Sequence, residues 1–281
     1  MTRLRHNRDG TPQPHELEAL PGSYDVVGDL AVIRVPDRLA SQKRHVAEAV
    51  VEAHRGVNAV FCQVGGVNGE FRLRELEWIL GEKRIVTVHR ESGCLFKVDL
   101  AKCYFSPRLS FERLRIARSS QPEEVVVNMF AGVGCFSILM AKLGRARKVF
   151  SVDVNSFAVD FMRENARLNR VSGRVVPILG DSMEVILARL QGVADRVVMP
   201  LPERAFEYLD FAVLALKPGG GWVHYYDFVH ALRSEDPVEK VRIKVAGKLE
   251  GLGVAFSVPF GRVVRSTGPR WCQVVLDIRV C

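Results

Sequence analysis

One stretch constrains this 281-residue chain more than any other: Val125-Val126-Val127-Asn128-Met129-Phe130-Ala131-Gly132-Val133-Gly134-Cys135-Phe136. Three β-branched residues in a row suit a strand covered on both faces, as in the interior of a parallel sheet. The Gly-x-Gly turn that follows lets the backbone bend sharply and approach a ligand closely. A helix is then predicted over 136–143. The same alternation continues downstream, with strands at 148–152, 175–179, 196–199 and 221–224, a helix at 157–168 and further helical segments between. It predicts an α/β fold with a doubly wound, parallel Rossmann-type sheet, to which residues 274–278 add a late strand.

The strand ends carry acids at informative distances. Asp153 closes the second strand, in Phe150-Ser151-Val152-Asp153. An acid about 20 positions beyond the glycine turn is placed to accept hydrogen bonds from two ribose hydroxyls. Asp181 follows the third strand, in Ile178-Leu179-Gly180-Asp181, and can accept from an adenine amino group. Each acid alone also fits a helix N-cap. Together, Gly132, Gly134, Asp153 and Asp181 describe an adenosine pocket on one sheet edge, with Phe130 and Asn128 beside the turn. A nicotinamide dinucleotide shares the ribose contact, but the third glycine of its fingerprint is replaced here by Ser137. That replacement, with the added acid after strand three, favours S-adenosylmethionine, whose cationic sulfonium needs no pyrophosphate cradle.

The region before this sheet is patterned differently. Residues 25–36 read as two strands around a Gly28-Asp29 turn. Residues 38–54 read as a helix with Leu39, Val46, Ala49, Val50 and Ala53 on one face. A strand at 59–64 ends at Gly65-Gly66, and 85–89 pairs with 95–98 across Glu91-Ser92-Gly93. This is an α+β domain over 23–118. The polar break at 119–124 opens the Rossmann domain, 119–281. Residues 1–22 are polar and contain proline, and are expected to form a flexible arm.

Lys and Arg outnumber Asp and Glu by 40 to 32, a net of +8. The excess is diffuse: 19 basic residues face 15 acidic ones up to Gln121, and 21 face 17 beyond it. A folded basic surface of this kind suits a polyanionic partner. None of the six cysteines forms a C-x-x-C pair, so reduced thiols in a cytoplasmic protein are expected and no metal site. No apolar run approaches the roughly 20 residues that span a bilayer, and no apolar segment of a secretory signal follows the basic N-terminus. A monomer with no membrane association is expected.

Four blocks narrow the reading: Tyr104-Phe105-Ser106-Pro107-Arg108-Leu109-Ser110-Phe111-Glu112-Arg113; Asn128-Met129-Phe130-Ala131-Gly132-Val133-Gly134; Asp195-Arg196-Val197-Val198-Met199-Pro200-Leu201-Pro202; and His224-Tyr225-Tyr226. From about Ser23 to the C-terminus the sequence closely resembles the archaeal and eukaryotic type of tRNA guanine-N1 methyltransferase acting at position 37. The resemblance implies a Rossmann-type domain using S-adenosylmethionine, preceded by a small α+β domain, with the tRNA anticodon arm as partner. It implies Glu112 as the general base at guanine N1 and Arg72, in Gly69-Glu70-Phe71-Arg72-Leu73-Arg74, as the contact near O6. It places Arg108, Pro200, Leu201 and Pro202 against the substrate. The chemistry agrees, because the N1 proton must leave as the methyl arrives and an arginine at O6 stabilises the charge that grows there. Arg108, Arg113 and Arg115 are expected to keep Glu112 ionised. Without the resemblance, Glu112 and Arg72 read as a surface ion pair.

Two departures stand out. Asn128 occupies the place of the family's usual Asp, and is expected to bond the methionine amino group through a neutral amide. Pro200 replaces the Asn of the family's Asn-Leu-Pro block, removing the side-chain polar group and N–H that would orient a base. These departures leave open a wyosine-pathway enzyme, methylating a tricyclic guanine at carbon or transferring an aminocarboxypropyl group, and a non-catalytic RNA-binding protein. His224-Tyr225-Tyr226 and Leu201-Pro202 favour the methyltransferase branch. Larger members carry an N-terminal module that grips the tRNA body. With about 22 residues before the first matching strand, a form lacking that module is expected, leaning on the anticodon arm and the domain before Ser119.

Overall fold

The computed structural model describes residues 24–69 and 71–281, so the arm expected over 1–22 lies outside the described residues. The chain divides into two compact units between Ser110 and Phe111.

The first unit contains a four-stranded sheet in the order β1 (Asp25–Val27), β2 (Leu30–Ile33), β3 (Ala59–Asn68) and β4 (Leu73–Gly81). Gly28, at φ +58, turns β1 into β2, where an added Cβ would stand 2.7 Å from the Val88 carbonyl oxygen. β2 and β3 run parallel and are connected through helix α1 (Lys43–Ala53). Ala31, Ile33, Ala47, Val50, Val60 and Cys62 form the core between helix and sheet. The helix expected from residue 38 starts later, because the chain first makes a tight 3₁₀ stretch, Asp37–Gln42, with Leu39 N–H donating to the Pro36 carbonyl at 2.8 Å. The β4 strand has no counterpart in the sequence reading. Its Arg74-Glu75-Leu76-Glu77 alternation is charged on the open side, as suits an edge strand. The hairpin β5 (Val86–Glu91) and β6 (Cys94–Asp99) turns at Ser92 and Gly93, both at positive φ.

The second unit opens with helix α2 (Ser110–Ser119), ahead of the polar break at 119–124 that marked the expected boundary. Its Ile116 and Ala117 are fully buried, and Arg196 donates to the Ser119 carbonyl at 3.0 Å, so the helix belongs to this unit. A seven-stranded sheet follows in the order β12 (Phe256–Gly268), β13 (Trp271–Val280), β11 (Gly221–His230), β10 (Arg196–Met199), β7 (Val125–Asn128), β8 (Lys148–Asp153), β9 (Val175–Leu179). The five strands from β11 to β9 are parallel; β13, which contains the late strand expected at 274–278, and β12 are antiparallel additions. Every residue of β7 and β10 is buried, in keeping with their apolar runs. Strand order reverses between these two, and in such sheets ligands bind beyond the carboxyl ends at the reversal. Helices α3 (Cys135–Lys142), α4 (Ser156–Leu168), the short α5 (Ser182–Val185), α6 (Pro202–Ala215) and α7 (Pro237–Gly251) are interleaved with the strands.

Candidate active site

The turn after β7 is built by two glycines in left-handed conformations. Gly134, at φ +91, would place a Cβ 2.7 Å from Met162 Cγ. Gly132, at φ +54, has open space where a Cβ would stand, which leaves its backbone accessible to a ligand. Asp153, at the end of β8, accepts from Gly132 N–H at 2.6 Å and from Asn155 N–H at 3.0 Å. Burial pushes its carboxyl above the usual range, against the pull of those two N–H groups.

Asp181 follows β9 and caps α5, accepting from Met183 N–H at 2.7 Å, which is the N-cap weighed from the sequence. Its second oxygen accepts from the Tyr208 hydroxyl at 2.5 Å, and burial, with Asp181 alongside, pushes that hydroxyl up to about 12. Phe130 packs edge-on against Tyr208, ring centroids 5.3 Å apart. Asn128, expected to bond the methionine amino group, lies at the end of β7. Fully buried, it donates to Ser137 Oγ at 3.0 Å and accepts from Phe130 N–H at 3.4 Å, so its amide braces the turn from inside.

Glu112, on α2, is 1% exposed. Its Oε1 accepts from Arg115 Nη2 at 2.7 Å and from the Tyr226 hydroxyl at 2.8 Å, and its Oε2 from Arg262 Nη2 at 2.5 Å. Burial pushes the carboxyl up, but Arg115 and Arg262, with Tyr226, outweigh it and hold the group below the usual carboxylate range. Of the arginines expected to keep Glu112 ionised, Arg115 does so, whereas Arg108 pairs with Asp25 at 2.6 Å. Tyr226 also lies edge-on to Phe136, centroids 6.1 Å apart, and Phe136 is the second residue of the helix after the glycine turn. Through Tyr226 and Phe136 the carboxylate is linked to the first turn of the helix that follows the glycines.

In the first unit, Arg72 sits at φ +54 with its guanidinium carbon 4.5 Å from the Tyr104 ring centroid, a cation–π contact. In the second, Pro200 and Leu201 are half-buried after β10, and Pro202 is buried at the first position of α6, where its fixed φ suits a helix start.

The TRM5/TYW2 methyltransferase domain model matches residues 87–251, and the TYW2 N-terminal domain model matches residues 9–84. The chain belongs to the TRM5/TYW2 methyltransferase family. It is 42% identical to the tRNA (guanine(37)-N(1))-methyltransferase Trm5b of Pyrococcus abyssi, over 95% of this chain and 78% of that one. The crystal structure of wild-type Trm5b from that species superposes with a TM-score of 0.85 at 40% identity, covering 100% of this chain and 82% of the other. The tRNA 4-demethylwyosine(37)-methyltransferase Taw21 of Saccharolobus solfataricus is 37% identical over 91% of this chain and 92% of its own. The crystal structure of TYW2 from M. jannaschii in complex with AdoMet has a TM-score of 0.67 at 28% identity, covering 92% and 99%.

Sequence reasoning about this TRM5/TYW2 member missed Tyr208, Arg262 and Asp277. For Asp277 a signal was available: an acid inside the apolar run Val274-Val275-Leu276-Asp277-Ile278 is costly to bury without a partner. Arg262 carried none, because Pro259, Gly261 and Arg262 interrupt any alternation along β12.

Proposed function

We propose that this chain methylates N1 of guanosine 37 in tRNA with S-adenosylmethionine, as a cytoplasmic monomer. The observation that carries the reading is the buried Glu112, held below the usual carboxylate range and linked through Tyr226 and Phe136 to the helix that follows the glycine turn. Asp153 and the open backbone at Gly132 suit a ribose, and Asp181 with Tyr208 and Phe130 suits the adenine end. When bound there, S-adenosylmethionine supplies an electrophilic methyl group whose carbon–sulfur bond breaks onto sulfur as the new bond to nitrogen forms.

Glu112 takes the N1 proton, so the attacking nitrogen ends uncharged and the proton leaves on the carboxyl. Oε2 is the oxygen assigned to receive it: it accepts from Arg115 Nε at 3.2 Å and from Arg262, whose side chain is 30% exposed, whereas Oε1 is held by Arg115 Nη2 and the buried Tyr226. Arg72 is assigned to the O6 side, where an always charged guanidinium held over the Tyr104 ring stabilises the developing negative charge. Arg108, Leu201 and Pro202 contact the substrate, while Pro200 offers shape and a carbonyl but no donor. The target base is splayed out of its stack to reach a buried carboxylate.

Pro200 and the near-complete mutual match with Taw21 favour one second reading, methylation of 4-demethylwyosine at the same position. Mass spectrometry of nucleosides decides between them, after incubating enzyme and cofactor with tRNA carrying guanosine 37 or 4-demethylwyosine 37. N1-methylguanosine from the first tRNA is the expected product. A methylated tricyclic base from the second, with guanosine 37 untouched, would establish the alternative.

A further inference from the structure

We infer that Asp277 and His224 are positioning residues for Glu112, acting through Arg115: they fix the guanidinium that orients the proton-accepting carboxylate. The inference rests on the proposed role of Glu112 as base.

Arg115 is held on both edges. Its Nε and Nη2 donate to Glu112 Oε1 at 3.1 and 2.7 Å, while Nη1 and Nη2 donate to Asp277 Oδ2 and Oδ1 at 2.5 and 3.0 Å. A planar fork gripped in this way has one orientation, and that orientation sets where the Glu112 oxygens point. The face of the fork is held as well. Phe260, the β12 residue paired with Asp277, lies with its ring centroid 4.6 Å from the guanidinium carbon.

On the opposite strand, β11, His224 is the register partner of Asp277, and its Nδ1 lies 2.7 Å from Asp277 Oδ1. Its Nε2 lies 2.5 Å from Arg196 Nη1. An arginine can only donate, so Nε2 accepts and the ring proton sits on Nδ1, where it is given to Asp277. Burial keeps His224 below its usual value despite Asp277, with the charges of Arg196 and Arg115 acting the same way, so the ring stays neutral. Arg196 is anchored in turn by both oxygens of Glu124, at 2.8 and 2.9 Å. Along this line each buried charge meets an opposite one, with a neutral histidine of defined tautomer in the middle. Buried ion pairs are often no more stabilising than well-packed apolar residues. Orientation of the carboxylate at the end of the line gives the arrangement a function that stability does not.

The test is single-turnover methyl transfer on full-length enzyme with a tRNA transcript. Asp277→Asn, which keeps shape but cannot bind the arginine fork as a carboxylate does, is expected to slow the step by about 10- to 100-fold, the cost of misplacing a reacting group by about an ångström. Affinities for S-adenosylmethionine and tRNA should stay within about twofold, so the effect falls on kcat rather than KM. Arg115→Lys keeps a charge beside Glu112 but cannot bridge both carboxylates; it should behave likewise, and it carries the test if Asp277→Asn does not fold. His224→Ala should also slow the step, and His224→Asn, which restores a donor near the place of Nδ1, should recover most of the loss. The deciding measurement is the double variant. If Asp277 acts through Glu112, then Asp277→Asn in a Glu112→Gln background adds no further loss. Full multiplication of the two losses, or wild-type rates for Asp277→Asn and Arg115→Lys, would overturn the inference. A wild-type rate for Glu112→Gln alone is a different outcome: it removes the base assignment itself and the inference with it.

Discussion

Tyr226 and Glu112, 114 positions apart in the chain, are joined by a 2.8 Å hydrogen bond from the phenol hydroxyl to the carboxylate, and both are buried. Burial, and then the charge on Glu112, push the Tyr226 hydroxyl well above its usual value, so tyrosine is the donor and the carboxylate the acceptor throughout the neutral range. Glu112 is thereby held as a carboxylate, the form that the proposed role as base requires.

Replacing Glu112 by Gln keeps shape and removes basicity. The single-turnover rate should fall by roughly 10²–10⁴, with cofactor and tRNA binding little changed. The pH profile follows from the sign of the shift. The folded carboxyl lies below its usual value, so the base stays ionised at neutral pH and the Glu112-dependent limb appears only in acid, below about pH 4.3. The same sign applies to stability. Glu112 and Asp277 are both lowered, so their contribution is fully present above the unfolded values and is lost as pH falls through the folded ones. Thermal melts of Glu112→Gln should lose less stability between neutral pH and about pH 3 than the parent does.

Asp153→Ala should weaken S-adenosylmethionine binding by about 1.5–3 kcal/mol by calorimetry, the scale of a charged hydrogen bond removed. Asp181→Ala should cost the cofactor somewhat less but the fold more, because Asp181 also caps α5 and accepts from Tyr208. A stability loss of about 1 kcal/mol is expected from the cap. Tyr208→Phe removes only the hydroxyl and separates the two effects. Unchanged affinity in Asp153→Ala would end the ribose assignment.

The two glycines of the turn should respond differently to alanine. Gly134→Ala meets Met162 Cγ at 2.7 Å and should destabilise the fold by more than about 1 kcal/mol, strain and clash together. Gly132→Ala meets no atom within 4 Å and should fold with only the backbone penalty of about 1 kcal/mol. Its methyl would stand in the space assigned to cofactor, so calorimetry should show weakened binding while the melt shows a small shift. Equal melts for the two variants would contradict this division.

Affinity for tRNA should fall steeply as salt rises from about 50 to 200 mM, because phosphate contacts release counterions. The net charge of +8 supplies the field. A flat dependence in a filter-binding titration would point to a small-molecule substrate.

The strands β7, β8, β9 and β10 were legible in the sequence within a residue or so, and with them the glycine turn, Asp153 and Asp181. Each is a local signal: an apolar run long enough for one buried strand, a turn that needs positive φ, an acid at a strand end. Strand β4 was illegible because an edge strand exposes a charged side, and β12 because its pairing with β13 is interrupted by bulges and carries no alternation. The boundary after Ser110 was illegible because the polar break at 119–124 lies between a helix and a strand of one unit.

The chain's residues alone determined a Rossmann-type sheet, and they pointed to a candidate adenosine pocket at its strand ends and, through the resemblance, to Glu112 as the candidate base. Only the tertiary structure decided what surrounds that base. Arg115, Tyr226, Arg262 and Asp277 come from one helix and three strands, and they meet because β13 inserts between β11 and β12, setting His224 and Phe260 on either side of Asp277. No local pattern encodes that insertion. Strand order is chosen by the burial of whole faces, and hydrogen bonds between residues more than a hundred positions apart exist only after the choice is made.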